Sequence, residues 1–274
     1  MSHSARELLP FIEETARAAG AIHMRHFRNL AGYEEKGANN LVTVADREAE
    51  DEVARRIRAR FPDHALMLEE TGGDAAENTW IVDPLDGTTN FAHGMNIFAV
   101  SIGFVHKGVP IAGGIFAPAL GDYYFAARGE GAWRNGDQRM RVSRPRALGD
   151  ALLVTGFPYD RRVMLDPLMD MMKEALRHSH GVLRLGAAAL DMAAVAAGDL
   201  DGFYEYNLMP WDVAAGAVMI EEAGGRITDF TGGAYDVFHP LTTVATNAHI
   251  HDELMLKVTR PFVDDIMRRR NAQA

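Results

Sequence analysis

Trp80-Ile81-Val82-Asp83-Pro84-Leu85-Asp86-Gly87-Thr88-Thr89-Asn90-Phe91 is a short apolar run that stops at two carboxylates, a glycine and two hydroxyls. Its aromatic and β-branched start, Trp80 to Val82, predicts the end of a buried strand. Pro84 has no N–H to donate, so strand pairing is expected to end there. Asp83 and Asp86 stand three apart, and a chain turning into a helix here would put them on one face, close enough to share a cation. Gly87 permits close backbone approach. Thr88 and Thr89 are candidate caps for the helix that follows, whose free N–H groups attract a phosphate. Carboxylates for a cation beside N–H groups for an anion suit metal-assisted hydrolysis of a phosphate ester. Taken alone, the same residues also suit an Asx-rich loop with a helix cap. They do not suit an EF-hand: counted from Asp83, position six is Thr88 instead of glycine and position twelve is Gly94 instead of glutamate.

Upstream, Ala65 to Leu68 is another apolar run ending in acids, Glu69 and Glu70, before a Gly72-Gly73 turn. Two strands therefore end in carboxylates, and if they are neighbours in a sheet their ends converge. Leu8, Leu9, Ile12, Ala16, Ala19 and Met24 recur at helical spacing from about Ser4 to Phe27, with Ser4 and Glu7 as a capping box. Leu41 to Val44 predicts a short extended segment. A second helix is expected from Ala45 to Arg60, with Val53 and Ile57 inward and its closing arginines suited to the helix dipole. Asp46 stands at its start, where a cap is the simple role.

Downstream, Ile97 to Val105, Ile111 to Pro118 and Tyr123 to Ala127 read as antiparallel strands, and Asn135-Gly136 as a hairpin turn between Ala132-Trp133 and Met140 to Val142. From about Arg144 strands and helices alternate. Strands are expected over Leu152 to Thr155, Val182 to Leu185, Phe203 to Tyr206, Arg226 to Thr228 and Thr243 to Thr246. The helices are Met164 to Leu176, Ala187 to Ala197, Asp212 to Ala223 and a last one broken near Pro261. Asp212 falls in the first turn of its helix, and Glu205 rides the preceding strand towards the same end. Gly186-Ala187-Ala188-Ala189 marks another strand-to-helix junction whose N–H groups could meet a ligand.

The 274 residues contain no cysteine, which removes disulfides, thiolate nucleophiles and cysteine-ligated metals. A formal charge of −10 weighs against direct nucleic-acid binding and suits a pocket loaded with cations. The first twenty residues lack the basic-then-apolar order of a signal peptide, and no apolar run reaches membrane-spanning length. The expectation is a cytoplasmic protein with no membrane partner. The histidines show no H-E-x-x-H spacing, and phosphate-loop, dinucleotide-loop and G-x-S-x-G patterns are missing.

In this order, the segments Leu41 to Asp46, Glu69-Glu70, Trp80 to Phe91, Arg128 to Gly136 and Trp211 to Gly225 resemble the inositol monophosphatase family of Mg²⁺-dependent, Li⁺-sensitive phosphatases. The resemblance covers nearly the whole chain. It implies an α+β fold, a layered αβαβα sandwich shared with fructose-1,6-bisphosphatases, in a single phosphatase domain over residues 1–274. Its lobes would be approximately 1–145, carrying Asp46, Glu69, Asp83 and Asp86, and 146–274, carrying Glu205 and Asp212. It also implies a homodimer and two to three Mg²⁺ ions per active site. Residue by residue, Glu69, Asp83 and the Leu85 carbonyl would hold one ion, Asp83, Asp86 and Asp212 a second, and Glu69 part of a weaker third. Thr88 and Asp46 look like the pair that orients and deprotonates a metal-activated water for in-line attack. The N–H groups of Gly87 and Thr88 would bind phosphate, with Asp86, Gly186, Ala188, Glu205 and Asp212 on the alcohol side.

The activity so implied is that of a phosphoric monoester hydrolase, with myo-inositol 1-phosphate as the leading substrate because the Glu205 carboxylate can accept two hydroxyls. Fructose 1,6-bisphosphate, histidinol phosphate and 3′-phosphoadenosine 5′-phosphate are the alternatives within the superfamily. A protein-binding role with the transcription machinery is the alternative from another class. Ala187 departs from the pattern, standing where many relatives carry threonine or serine beside the substrate.

Overall fold

A computed structural model describes residues 4–30, 32–37, 40–159 and 161–272. In chain order the elements are α1 (Ala5–His26), β1 (Glu34–Gly37), β2 (Asn40–Val42), α2 (Val44–Arg60), β3 (Ala65–Leu68), β4 (Asn78–Asp86), α3 (Thr88–Ala92), β5 (Ala99–His106), β6 (Val109–Ala117), β7 (Asp122–Ala127), β8 (Gly131–Arg134) and β9 (Gln138–Arg139). There follow β10 (Leu152–Thr155), α4 (Arg161–His178), β11 (Gly181–Leu183), α5 (Ala188–Ala197), β12 (Gly202–Tyr206), α6 (Pro210–Glu222), β13 (Arg226–Thr228), β14 (Thr242–Thr246), α7 (His251–Leu254) and α8 (Val263–Asn271). A five-residue π turn and a short 3₁₀ turn carrying Pro261 separate α7 from α8, so the expected break near that proline is present.

Strands β3 to β9 make a seven-stranded sheet in sequence order, and β11-β10-β12-β14-β13 make a five-stranded one. Alternation along each strand decides the layers. From β4, Trp80 and Val82 face α1 and α2, packing with Leu8, Ile12, Val53 and Ile57. Ile81 faces the other way, into a core shared with Met192 of α5, Val213 of α6 and Phe203 of β12. On the second sheet Phe203 faces that inner core, whereas Leu153 and Tyr204 pack outward against Met164 of α4, Leu254 and Ile266. The order is helices, sheet, helices, sheet, helices: the layered αβαβα sandwich expected from the sequence.

The middle layer sits close to the first sheet because its contact residues are small. A Cβ on Gly103 of β5 would lie 2.6 Å from the Ala214 Cβ, and one on Gly113 of β6 would lie 2.7 Å from the Ala215 Cα. That close docking fixes where α6 starts, and hence where Asp212 stands.

Three local expectations need correction. β4 does not end at Pro84 but runs on to Asp86, pairing antiparallel with β5 as Asp83↔Ser101 and then Asp86↔Ala99, with a register shift between. Pro84 cannot donate to the ladder, and the chain accommodates it as a bulge instead of terminating. Asp83 and Asp86 are therefore brought together by a bulge and not by a helical turn. Second, neither Thr88 nor Thr89 caps α3: the cap position is Gly87, with φ 87°, and both threonines are already helical. Third, several bounds shift, most clearly β11, which spans Gly181–Leu183 instead of 182–185, and the strand after the Asn135-Gly136 turn, which is Gln138–Arg139.

His23 of α1 is fully buried against Phe91 and Phe98, with ring centroids 6.0 and 5.9 Å away. Neither ring nitrogen makes a hydrogen bond of normal geometry. Burial holds its pKa down at about 3, the nearby Pro84 carbonyl opposing that only in part. A base whose pKa is lowered by folding leaves stability intact above its unfolded value near 6.5 and removes it as pH falls towards the folded value. Between pH 6.5 and 4 the wild-type protein is expected to lose roughly 3 kcal/mol more than a His23→Leu variant, as read by urea unfolding. Parallel losses in the two proteins would refute this.

Candidate active site

The site is assembled where strand ends of the seven-stranded sheet meet the starts of α5 and α6. β3 and β4 are parallel with Leu68 opposite Val82, and the Glu69 N–H donates to the Val82 carbonyl at 3.2 Å. Glu69 and Asp83 thus emerge side by side, as adjacent strands in one sheet require. The Leu85 N–H donates to Asp83 Oδ1 at 2.8 Å, which fixes the bulge. The Thr88 hydroxyl lies 3.0 Å from Asp46 Oδ1 and 3.0 Å from the Leu85 carbonyl. Asp46 Oδ2 accepts from the Thr43 N–H at 2.8 Å and the Thr43 hydroxyl at 2.6 Å. Thr43 is the residue that caps α2, its hydroxyl accepting from the Ala45 N–H. Asp46 therefore closes the capping box and also holds Thr88.

From the other side, α5 points its first turn at Asp86. The Ala189 N–H donates to Asp86 Oδ2 at 2.9 Å, and the neighbouring amides of Ala188 and Leu190 favour the same carboxylate. The Gly186 to Ala189 junction does meet an anion, but that anion is the protein's own Asp86. Asp212 is the third residue of α6 and accepts from the Met209 N–H at 2.7 Å, while the Ser101 hydroxyl donates to the Trp211 carbonyl at 3.3 Å. Asn90 ties α3 to the segments before β5 and α5, its Nδ2 donating to the Ile97 and Leu185 carbonyls at 2.8 Å each.

These groups surround one cavity of about 440 Å³, within the size range of small-molecule sites. Glu69, Asp83, Leu85, Asp86, Gly87, Thr88, Gly186, Ala187, Ala188, Glu205 and Asp212 all line it. Asp46 stands behind Thr88. Gly156, Phe157, Tyr159, Arg184, Asp191 and Trp211 also belong to the wall and were not singled out from sequence for such a role. Asp191 was legible only as an acid in a helix's first turn, and Gly156 carries no chemical signal at all.

Crowding and burial dominate the electrostatics. Burial, then the charges of Glu69, Asp86 and Asp212, push the Asp83 pKa well above the carboxylate range, and Asp83 also shares a hydrogen bond with Glu69. Two carboxylates can share that bond only with a proton between them. Burial raises Asp86 and Asp212 to about 7 each, the Ala189 and Met209 amides opposing it. Burial raises Asp46 to about 6, against its hydrogen bonds from Thr43 and Thr88. Glu205 is pushed well up by burial, then by the charges of Asp191 and Asp212, and Asp191 by burial, then by the charge of Asp86, with Arg184 opposing in both cases. Among the described residues no trio of acidic or histidine side chains closes on one point as a finished ion cage. The donor set nonetheless suits a hard cation: oxygen donors only, like charges at close quarters, and a proton holding Asp83 to Glu69 where a cation could do so.

The profile of the family described as the "Inositol monophosphatase family" matches residues 4–261. The chain belongs to the inositol monophosphatase family. It is 42% identical over 231 residues to a protein of Neisseria meningitidis serogroup B named putative Nus factor SuhB, covering 81% of this chain and 88% of that one. It is 39% identical over 267 residues to an inositol-1-monophosphatase of Mesorhizobium japonicum, covering 96% and 99%. Among solved structures, an IMPase of Thermotoga maritima superposes with a TM-score of 0.87 at 35% identity, covering 95% and 99%. Family membership thus agrees with the layered fold. In the described part of the chain no helix is long and apolar enough to cross a membrane.

Proposed function

We propose that this family member hydrolyses small phosphate monoesters with Mg²⁺, myo-inositol 1-phosphate foremost, as a cytoplasmic single-domain enzyme of two lobes that works as a homodimer. The observation carrying the reading is the convergence of Glu69, Asp83, Asp86 and Asp212 on one cavity that Glu205 also lines. Glu69, Asp83 and the Leu85 carbonyl would hold one Mg²⁺, Asp83, Asp86 and Asp212 a second, and Glu69 part of a third. Bound there, the ions would offset the ester's charge, lower the pKa of a water and stabilise the departing alkoxide.

The rest falls to the chain's own groups. The Thr88 hydroxyl, held between Asp46 and the Leu85 carbonyl, accepts the water's proton as its own passes to Asp46, a base placed near neutrality by its burial. The N–H groups of Gly87 and Thr88 hold the phosphate. Gly186 and Ala188 shape the alcohol side, and Glu205 accepts hydroxyls from the polyol. With Ala187 in place of a hydroxyl-bearing residue, that discrimination depends the more on Glu205. For the dimer, α4 supplies the support: Leu165, Met169 and Leu176 recur on one helical face and are 50%, 38% and 58% exposed.

Phosphate release from inositol 1-phosphate, fructose 1,6-bisphosphate, histidinol phosphate and 3′-phosphoadenosine 5′-phosphate, with Mg²⁺ and with chelator, tests the reading. The expected result is Mg²⁺-dependent turnover, greatest kcat/KM for the inositol ester, and inhibition by Li⁺ at fixed Mg²⁺. Preference for another ester would replace the substrate and keep the chemistry; silence on all four would overturn the enzyme. The similarity to a protein named putative Nus factor SuhB favours a second reading, a protein-binding role with the transcription machinery. Co-purification with RNA polymerase that survives Asp83→Asn would support that role independently of turnover.

A further inference from the structure

We infer that Gly156 is a positioning residue, which sets the preference for polyol esters by leaving the Glu205 carboxylate a seat that any side chain at 156 would fill. The inference rests on the polyol reading above. Gly156 follows β10, which lies parallel to β12 with Thr155 opposite Tyr204. The Thr155 hydroxyl donates to the Tyr204 carbonyl at 2.6 Å and fixes that register. Gly156 is thereby set beside Glu205, the residue after Tyr204. A Cβ at position 156 would lie 2.2 Å from Glu205 Oε2, 2.3 Å from Oε1 and 2.4 Å from Cδ. The whole carboxylate thus lies over the bare Cα of the glycine.

Backbone conformation does not account for the glycine. Gly156 is not among the thirteen glycines of positive φ found among the described residues, so an L-residue could adopt its backbone. What excludes a side chain is the carboxylate resting on it. No backbone atom is among the three nearest to that added Cβ, and the atoms it meets belong to the mobile end of a glutamate. Relief comes by moving the carboxylate, not the strand.

Where the carboxylate can move is restricted. Asp191 and Asp212 repel it and Arg184 attracts it. Glu205 and Gly156 both line the cavity, and that side is open. Reaching ordinary contact at 3.4 Å from 2.2 Å requires a displacement of about 1 Å. A misplacement of that size in a positioning group costs up to about 100-fold in rate.

The test is a double-mutant cycle of Gly156→Ala and Glu205→Ala. Its readout is the ratio of kcat/KM for inositol 1-phosphate to that for p-nitrophenyl phosphate, whose leaving group has no hydroxyls. If the wild type prefers another polyol ester, that ester takes the first place. Gly156→Ala is expected to lower the ratio by about 10- to 100-fold, through KM and kcat for the polyol ester, with p-nitrophenyl phosphate turnover and thermal midpoint little changed. In the Glu205→Ala background the added methyl is expected to change the ratio less than twofold. An unchanged ratio in Gly156→Ala, equal losses on both substrates, a further loss in the Glu205→Ala background, or failure of Gly156→Ala to fold would each overturn the inference. Wild-type turnover of p-nitrophenyl phosphate with none of any polyol ester would overturn the polyol reading itself, and this inference with it. The cycle fails separately when the wild type shows the polyol preference and Gly156→Ala keeps it.

Discussion

Asp83→Asn lowers kcat by about a thousandfold or more, roughly 4 kcal/mol of barrier, and leaves the fold intact. Asp83 is the one carboxylate common to the first and second proposed ion sets, so its replacement weakens both at once. The structure also separates this loss from a folding defect. Asp83 Oδ1 accepts the Leu85 N–H that fixes the bulge, and an asparagine carbonyl can accept the same bond. Burial and the charges of Glu69, Asp86 and Asp212 disfavour a charged carboxylate at position 83, and a neutral amide carries no such cost. Without Mg²⁺ the variant's thermal midpoint is therefore expected to equal or exceed that of the wild type. With Mg²⁺ the wild type gains stability by mass action and the variant gains little. Phosphate release and thermal unfolding with and without Mg²⁺ check both halves. Near-wild-type turnover would remove Asp83 from the ion site, and a midpoint several degrees lower without metal would show its role to be structural.

Much of this arrangement is legible in the sequence because each part follows a local rule. Leu68-Glu69 and Val82-Asp83 are apolar runs ending in acids, and parallel neighbours must bring such ends together. Ser4 with Glu7 predicts the start of α1, and the Glu7 carboxylate does accept the Ser4 N–H. Pro84 shows where local rules stop. Proline forbids one ladder hydrogen bond but does not say whether the strand ends or bulges; the pairings Asp83↔Ser101 and Asp86↔Ala99 with β5 decide that, across 18 and 13 residues of sequence. The first turn of α5 misleads for a related reason. Free N–H groups at Ala188 and Ala189 imply an anion, and only the tertiary fold identifies Asp86 as that anion. Gly156 is silent in sequence because its meaning is a volume left for a side chain of another strand.

Thr88→Ala should lower kcat by about 10²- to 10⁴-fold, the range for losing general acid–base assistance, while Mg²⁺ affinity stays near wild type. The hydroxyl is poised by two acceptors, Asp46 Oδ1 and the Leu85 carbonyl, each at 3.0 Å, and it lines the cavity whereas Asp46 does not. A proton leaving the cavity for Asp46 must therefore pass through Thr88, and a methyl group cannot carry it. Asp46 keeps its two bonds from Thr43 in the variant, so the start of α2 persists. None of the proposed ion-holding side chains is altered, so ion binding should persist as well. Thr88→Ser retains the hydroxyl and is expected to recover most of the rate; Asp46→Asn, whose one amide oxygen can accept from Thr88 or from the Thr43 N–H but not from both and which cannot take up the proton, is not. Initial rates at saturating Mg²⁺, with Mg²⁺ titrations for each variant, decide the matter. Loss of Mg²⁺ affinity in Thr88→Ala with unchanged turnover at saturation would place the hydroxyl in ion binding and leave Asp46 without a route to the water.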